Sequence, residues 1–302
     1  MKLFTLFSIF ILSLNLIAQD PVFSLGDQNQ LYNNPAFSGT ANNFRFGNSY
    51  RNQWPSLSGS YITNNVYADQ YLGKFGGAGI SYTLDKAGQA FTSNSVSFSY
   101  SYGIKIGDTS RLQFGISPGI IQESIDINKL TFGDMINPRT GFVYTSTPIA
   151  NESITKFNFS AGLLFYNHQF YAGYALHHIN RANMSFYDTE QKLDIRHSVQ
   201  LGLYGHFGKD GLINVFANAH FQGSSYNISS ILQIQTHHIL TGIGYRTGDA
   251  ILARLGVVFK NFKIIYGYDA TVSKLSSIGS HEIALQILLN INKNTNPLSI
   301  AY

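Results

Sequence analysis

From Asn94 to Ile106 the chain obeys two rules at once. Val96, Phe98, Tyr100, Tyr102, Ile104 and Ile106 take alternate positions, and Ser95, Ser97, Ser99, Ser101, Gly103 and Lys105 fall between them. A period of two belongs to an extended strand, because successive side chains point to opposite faces. At ~3.3 Å per residue this stretch is long enough to cross the ~25 Å apolar band of a bacterial outer membrane at the usual tilt. The alternation recurs at Phe44–Arg51, Ser60–Tyr67, Gly77–Leu84, Leu112–Glu123, Lys156–Tyr166, Gln169–His178 and Ile195–Phe207. It continues at Leu212–Phe221, Tyr226–Gln235, His237–Arg246, Ala250–Phe259, Phe262–Thr271 and His281–Ile291. The pattern predicts an all-β fold, a transmembrane antiparallel β-barrel of about fourteen strands, an even number as single-chain outer-membrane barrels require.

Connection lengths provide a second, independent sign. With the first strand rising outward, Gly107–Thr109, Asn167–His168, Gly208–Gly211 and Lys260–Asn261 are short inner turns. Asp85–Thr92, Ser124–Thr155, Ile179–Asp194 and Val272–Ser280 are then the long outer loops, the asymmetry such barrels show. Charge placement agrees, since Lys or Arg on the lipid face near mid-bilayer costs ~2 to 4 kcal/mol. Lys105, Glu123, Arg196, Arg246, Arg254, Asp269 and Glu282 all fall on the polar face of their strands.

Before the first strand, Lys2 and the apolar run Leu3–Ile17 end at the small residue Ala18, which reads as a secretory signal peptide over residues 1–18. Its apolar run falls short of the ~20 residues a spanning helix needs. Residues 19–43 lack periodicity and are dense in Asn and Pro, which favour turns over ladder strands. They are expected to form an N-terminal plug or a periplasmic leader. The barrel occupies 44–291 and a tail follows at 292–302. Only 12% of the 302 residues are charged, against about 25% in ordinary soluble domains, so a soluble sandwich would lack charges for its outer face. The net charge of +4 is too small to argue for nucleic acid, and there is no cysteine to form a disulfide or carry a lipid anchor.

Candidate chemistry is sparse. His177–His178 and His237–His238 are neighbours on predicted strands, so each pair should splay to opposite faces rather than chelate one metal ion. No G-x-S-x-G elbow marks a nucleophile, and Gly76–Gly79 is not followed by the Lys-Ser/Thr of a phosphate loop. Neither an enzyme nor a cofactor is expected. The polar face holds Arg45, Arg51, Lys105, Arg196, Arg246, Arg254 and Lys263 against Glu123, Asp269 and Glu282. Of these, Lys105, Arg196, Arg246 and Arg254 are candidates for a basic lumen. Such a lumen either steers an anionic ligand or acidic segment or pairs with the plug and water.

Several ordered stretches carry a family likeness. They are Asp20-Pro21-Val22-Phe23-Ser24, Tyr32 with Asn34-Pro35-Ala36-Phe37-Ser38-Gly39-Thr40, and Tyr50-Arg51-Asn52-Gln53-Trp54-Pro55. Later come Leu130-Thr131-Phe132-Gly133-Asp134, Phe159–Tyr166, His177-His178-Ile179-Asn180, Tyr266-Gly267-Tyr268-Asp269 and Gly279-Ser280-His281-Glu282-Ile283. Together they resemble the PorP/SprF family of outer-membrane proteins associated with type IX secretion in Bacteroidota. The resemblance implies a non-enzymatic barrel in the outer membrane, reached by Sec-type export with removal of the signal peptide. Its implied partners are membrane lipid, type IX translocon components and exported surface proteins with a type B C-terminal secretion domain, such as gliding adhesins. Arg51 and Trp54 are candidates for contact with cargo or plug. A plugged channel or uptake barrel for a small or lipidic solute is the alternative. The tail is a departure from the pattern and leaves open whether Ile291 or Tyr302 ends the assembly signal.

Overall fold

The computed structural model describes residues 19–131, 135–137, 139–141, 143, 152–186, 190–208, 211–272 and 279–289. The expected signal peptide, the tail, the Phe132–Asp134 part of one motif and much of the Ser124–Thr155 loop lie outside the described residues.

The strands are β1 Phe44–Gln53, β2 Tyr61–Tyr71, β3 Gly77–Ala87, β4 Phe91–Ile106, β5 Ser110–Ile125, β6 Glu152–Tyr166 and β7 Phe170–His177. They continue as β8 Arg196–Phe207, β9 Gly211–Gln222, β10 Ser225–Thr236, β11 Ile239–Arg246, β12 Ala250–Val258, β13 Phe262–Thr271 and β14 Ser280–Leu289. These fourteen strands pair with their neighbours in chain order, and β1 closes the barrel on β14 from Phe44↔Leu289 to Gln53↔Ser280. Closure removes both free edges, the condition for a sheet to live in lipid, where an unpaired backbone group has no water to bond.

Side chains sort by face as the alternation predicts. Outward stand exposed Phe98, Tyr100 and Tyr102 on β4, Ile251, Leu255 and Val257 on β12, and Ile283 and Leu289 on β14. Inward stand buried Ser99, Ser101, Gln200, Arg254, Glu282 and Gln286. Among the described residues no helix is long and apolar enough to cross a membrane; the crossing is made by strands.

Two connections differ from expectation. Asp85–Thr92 is not a long loop, because β3 and β4 stay paired to Ala87↔Phe91 and a turn at Gly88, φ +69°, closes them. Here the ladder outruns the apolar alternation, so hydropathy alone missed the extension. His237 and His238 do not open a strand either. They form the turn between Thr236 and Ile239, with His237 at φ +48°.

The N-terminal segment lies within the ring of strands. From Phe23 to Asn42 every residue except Tyr32 is buried. Gln19 begins at the outer end, where its side-chain amide donates to Ser225 and the Asp20 amide donates to Gln222 (2.9 Å). The chain then winds through turns at Gly26–Gln28 and Pro35–Phe37 and one helical turn, α1 Gln30–Asn33, before entering β1 at the inner end. Asn34 caps the Pro35 turn by accepting from the Ala36 amide (2.9 Å), and proline is preorganised for such a first position. Leu31, Ala36 and Phe37 pack with inward Leu164, Tyr171 and Phe216.

Space for this segment comes from inward glycines. A Cβ at Gly115 would lie 2.3 Å from the Ala36 nitrogen, and one at Gly77 would lie 2.2 Å from the Ser38 carbonyl oxygen. Gly115→Val should therefore destabilise the barrel by about 1–3 kcal/mol. Gly103→Ala, whose nearest contact would be an ordinary 3.4 Å, should be close to neutral. Thermal unfolding of the two variants in mild detergent checks the difference, and equal melting temperatures would contradict the packing described.

Candidate functional site

The inward arginines and the carboxylates that meet them define the interior. Arg254 on β12 grips Asp27 of the N-terminal segment with both terminal nitrogens (2.8 and 2.9 Å) and also donates to Gln233 on β10 (2.8 Å). Arg45 on β1 pairs with Asp69 on β2 (2.7 Å), donates to the Phe37 carbonyl (3.1 Å) and reaches Gln30. Asp69 in turn accepts from the Gly39 amide (2.7 Å). Arg51 on β1 pairs with Asp269 on β13 (2.7 Å) and Glu282 on β14 (3.2 Å). Arg246 on β11 joins the same group through Asp269 (2.9 Å). Ser24 ties the segment to this group, because its amide and hydroxyl both donate to it (2.7 Å each, to Glu282 and Asp269).

At the outer mouth Arg196 on β8 pairs with Asp20 (2.8 Å), donates to the Tyr32 hydroxyl (2.8 Å) and carbonyl (3.1 Å), and stands 4.6 Å from the Tyr32 ring centroid. Asp20 also bonds His178 Nε2 (2.7 Å). Burial by itself would raise the Asp20 carboxyl, but His178 and Arg196 outweigh it and hold it well below the usual carboxylate range. Asp27 is likewise lowered, its burial outweighed by Arg254. Burial, reinforced by Asp20, pushes the Tyr32 phenol up against the pull of Arg196, so Tyr32 is a neutral hydroxyl at physiological pH.

Of the residues singled out from sequence, Arg51, Arg196, Arg246 and Arg254 are brought together around the N-terminal segment. Trp54, beyond the end of β1 at φ +56°, instead packs edge to face on Tyr61 (5.9 Å). Lys105 shares the inward face of β4 but sits exposed at its inner end. His177 and His178 do not splay apart. The strand ends at His177, and His178 at φ +57° breaks the alternation, so both rings are buried. His177 bonds the Asn33 carbonyl (3.0 Å) while His178 takes Asp20. Among the described residues no group of three or more His, Cys, Asp or Glu side chains could hold a metal ion. Asp20, Ser24 and Asn34 stood out in the sequence only as members of the family stretches and Asp27 not at all, and the excess of inward arginines over strand acids was the signal that something else must pair with them.

The segment leaves one side of the outer lumen unfilled. A cleft there has Leu31, Tyr32 and Pro35 as its floor and the hydroxyl-bearing wall of β3 to β6, including Ser81, Ser97, Ser117 and Ser160. Arg196, His178 and Asp20 stand on one flank and Asp85 on another. The loop after β7 folds beside it, with Met184 and Leu193 packed on Ile121, and Asn180 is pinned to β6 through the Phe157 carbonyl (2.7 Å). A wall of small hydroxyls can hydrogen-bond an extended backbone without demanding one sequence.

A family model described as "Type IX secretion system membrane protein PorP/SprF" matches residues 15–287. No curated protein matches the chain. Among solved structures it is similar to the Ralstonia pickettii toluene transporter TbuX, at 11% identity and TM-score 0.48, with 86% of this chain and 93% of that chain covered. It is also similar to a Pseudomonas aeruginosa FadL homologue, at 9% identity and TM-score 0.47, with 86% and 95% covered. The P. putida toluene transporter TodX matches at 8% identity and TM-score 0.45, with 86% and 93% covered.

Breaking one buried pair tests the ionic lining. Asp27→Asn strands the Arg254 charge and should cost about 3–5 kcal/mol, whereas joint replacement by Asp27→Leu and Arg254→Met should recover most of that loss. The lowered carboxyls also set a pH dependence. A group whose folded value lies below its unfolded value of about 4 stabilises above that value, and loses the contribution as pH falls toward the folded one. Melting temperature should thus be insensitive to Asp20 and Asp27 between pH 8 and 5 and fall below about pH 4, with a shallower acid limb in Asp20→Asn. An equally steep limb in that variant would remove Asp20 from the account.

Proposed function

Because the chain belongs to the PorP/SprF family of type IX secretion system membrane proteins, we propose that it is a non-enzymatic outer-membrane barrel that holds an exported polypeptide at its outer mouth. In this reading it supports export and surface attachment of cargo with a type B C-terminal secretion domain, gliding adhesins among them. It carries no cofactor, and its partners are that cargo, other components of the secretion system and the surrounding lipid. The observation that carries the reading is the cleft, which has a hydroxyl-bearing wall, lies at the outer end and is floored by the chain's own N-terminal segment. A floor made of buried, ion-paired chain favours a seat over a conduit. In this reading the long stretches of chain that follow β5 and β7 supply further surface for a folded domain.

Site-specific crosslinking tests this directly. A photoreactive side chain at Ser117, on the cleft wall, should capture a large surface protein through its C-terminal domain in cells. The same group at Leu255, on the lipid face, should not. Capture from neither position, together with a surface proteome unchanged by deleting the gene, would overturn the reading.

A further inference from the structure

Lys105 is the candidate lumen cation left out of the ionic lining; among the described residues it makes no ion pair. It lies in a second cleft, at the inner end of the barrel, with Lys74 from the turn between β2 and β3 and Arg111 from the start of β5. Tyr71 and Tyr166 add hydroxyls, and Gly39 of the N-terminal segment closes its depth. No carboxylate lines this cleft. Asp108, on the turn between β4 and β5, forms no ion pair with either lysine. Lys74 and Lys105 thus differ from Arg45, Arg51, Arg196, Arg246 and Arg254 of the interior, each of which meets a carboxylate.

The cleft is built rather than incidental. The turn carrying Lys74 is closed by a Leu72 amide bond to the Gly76 carbonyl (2.7 Å) and fastened to β4 by the Tyr100 hydroxyl donating to the Phe75 carbonyl (2.8 Å). Lys74 Nζ rests 5.2 Å from the Phe75 ring centroid. Directly outside, Leu72, Phe75, Ile104 and Ile106 are exposed apolar side chains, so the cleft sits where the apolar band of the barrel ends. Cations and aromatic residues at that level stand among lipid headgroups.

We propose that this cleft binds the phosphate of an anionic phospholipid from the inner leaflet, its headgroup reaching over the rim to Lys74, Lys105 and Arg111 while its acyl chains lie against the apolar wall. A phosphate supplies the negative charge that the lining lacks, and a phosphodiester is present at this depth wherever the barrel is embedded. The site is distinct from the outward cleft and does not depend on the identity of any cargo.

The test is native mass spectrometry of the full-length barrel in mild detergent, titrated with phosphatidylglycerol or phosphatidylcholine, beside a Lys74→Gln/Lys105→Gln variant. Both lysines are exposed, so the variant should keep the melting temperature of the parent. The expected result is preferential retention of phosphatidylglycerol, weakened roughly thirtyfold in the variant, the loss expected when two interfacial lysines are removed. Unchanged retention in the variant would overturn the proposal. So would equal retention of phosphatidylcholine, or displacement of phosphatidylglycerol by millimolar inorganic phosphate, which would mark a site for free anions instead of lipid.

Discussion

Arg45, Arg51, Arg196, Arg246 and Arg254 are each no more than 5% exposed inside the barrel, and a charge so placed must meet its opposite. Removing an ion from water costs several kcal/mol even after relaxation, and the debt is met only where geometry and hydrogen bonding are both good. Strand carboxylates answer part of this demand through Asp69, Asp269 and Glu282. The N-terminal segment answers the rest with Asp20 and Asp27, and Ser24 and Gly39 bond to the strand acids. The course of that segment, from outer mouth to inner end, follows from where these partners stand.

Shape and charge then act together. Inward glycines at Gly77 and Gly115 admit the backbone of the Pro35 to Gly39 turn, while Phe37 meets Tyr171 edge to face at 5.3 Å. The turn is thereby pressed directly against the barrel wall. The serine-rich wall of β3 to β6 is different: at its outer half it faces a cleft instead of packed chain. A barrel so arranged has a hydroxyl-lined cleft at its outer end and a basic rim at its inner end.

Much of this was legible from the residues alone. Alternation located the strands, and the confinement of charge to one face identified which side meets lipid, because a misplaced arginine on the other side is too costly to survive. The extension of β3 and β4 was not legible, since a ladder continued beyond the apolar band carries no hydrophobic signature. The paired burial of His177 and His178 was missed because a single positive φ ended the alternation on which their separation was argued. Most hidden was the partnering of Asp20 with Arg196 and of Asp27 with Arg254. These residues are far apart in sequence, and a lone acid in an irregular stretch gives no sign of what it will face. In the family stretch Asn34–Thr40 the asparagine, proline and glycine shape a turn pressed against the wall.

An N-terminal segment held by ion pairs inside the ring of strands is expected to close the lumen. Planar-bilayer recording of the purified full-length chain tests it most directly. The intact barrel should show no steady ion conductance at neutral pH. A stable open conductance under the same conditions would contradict closure of the lumen by this segment.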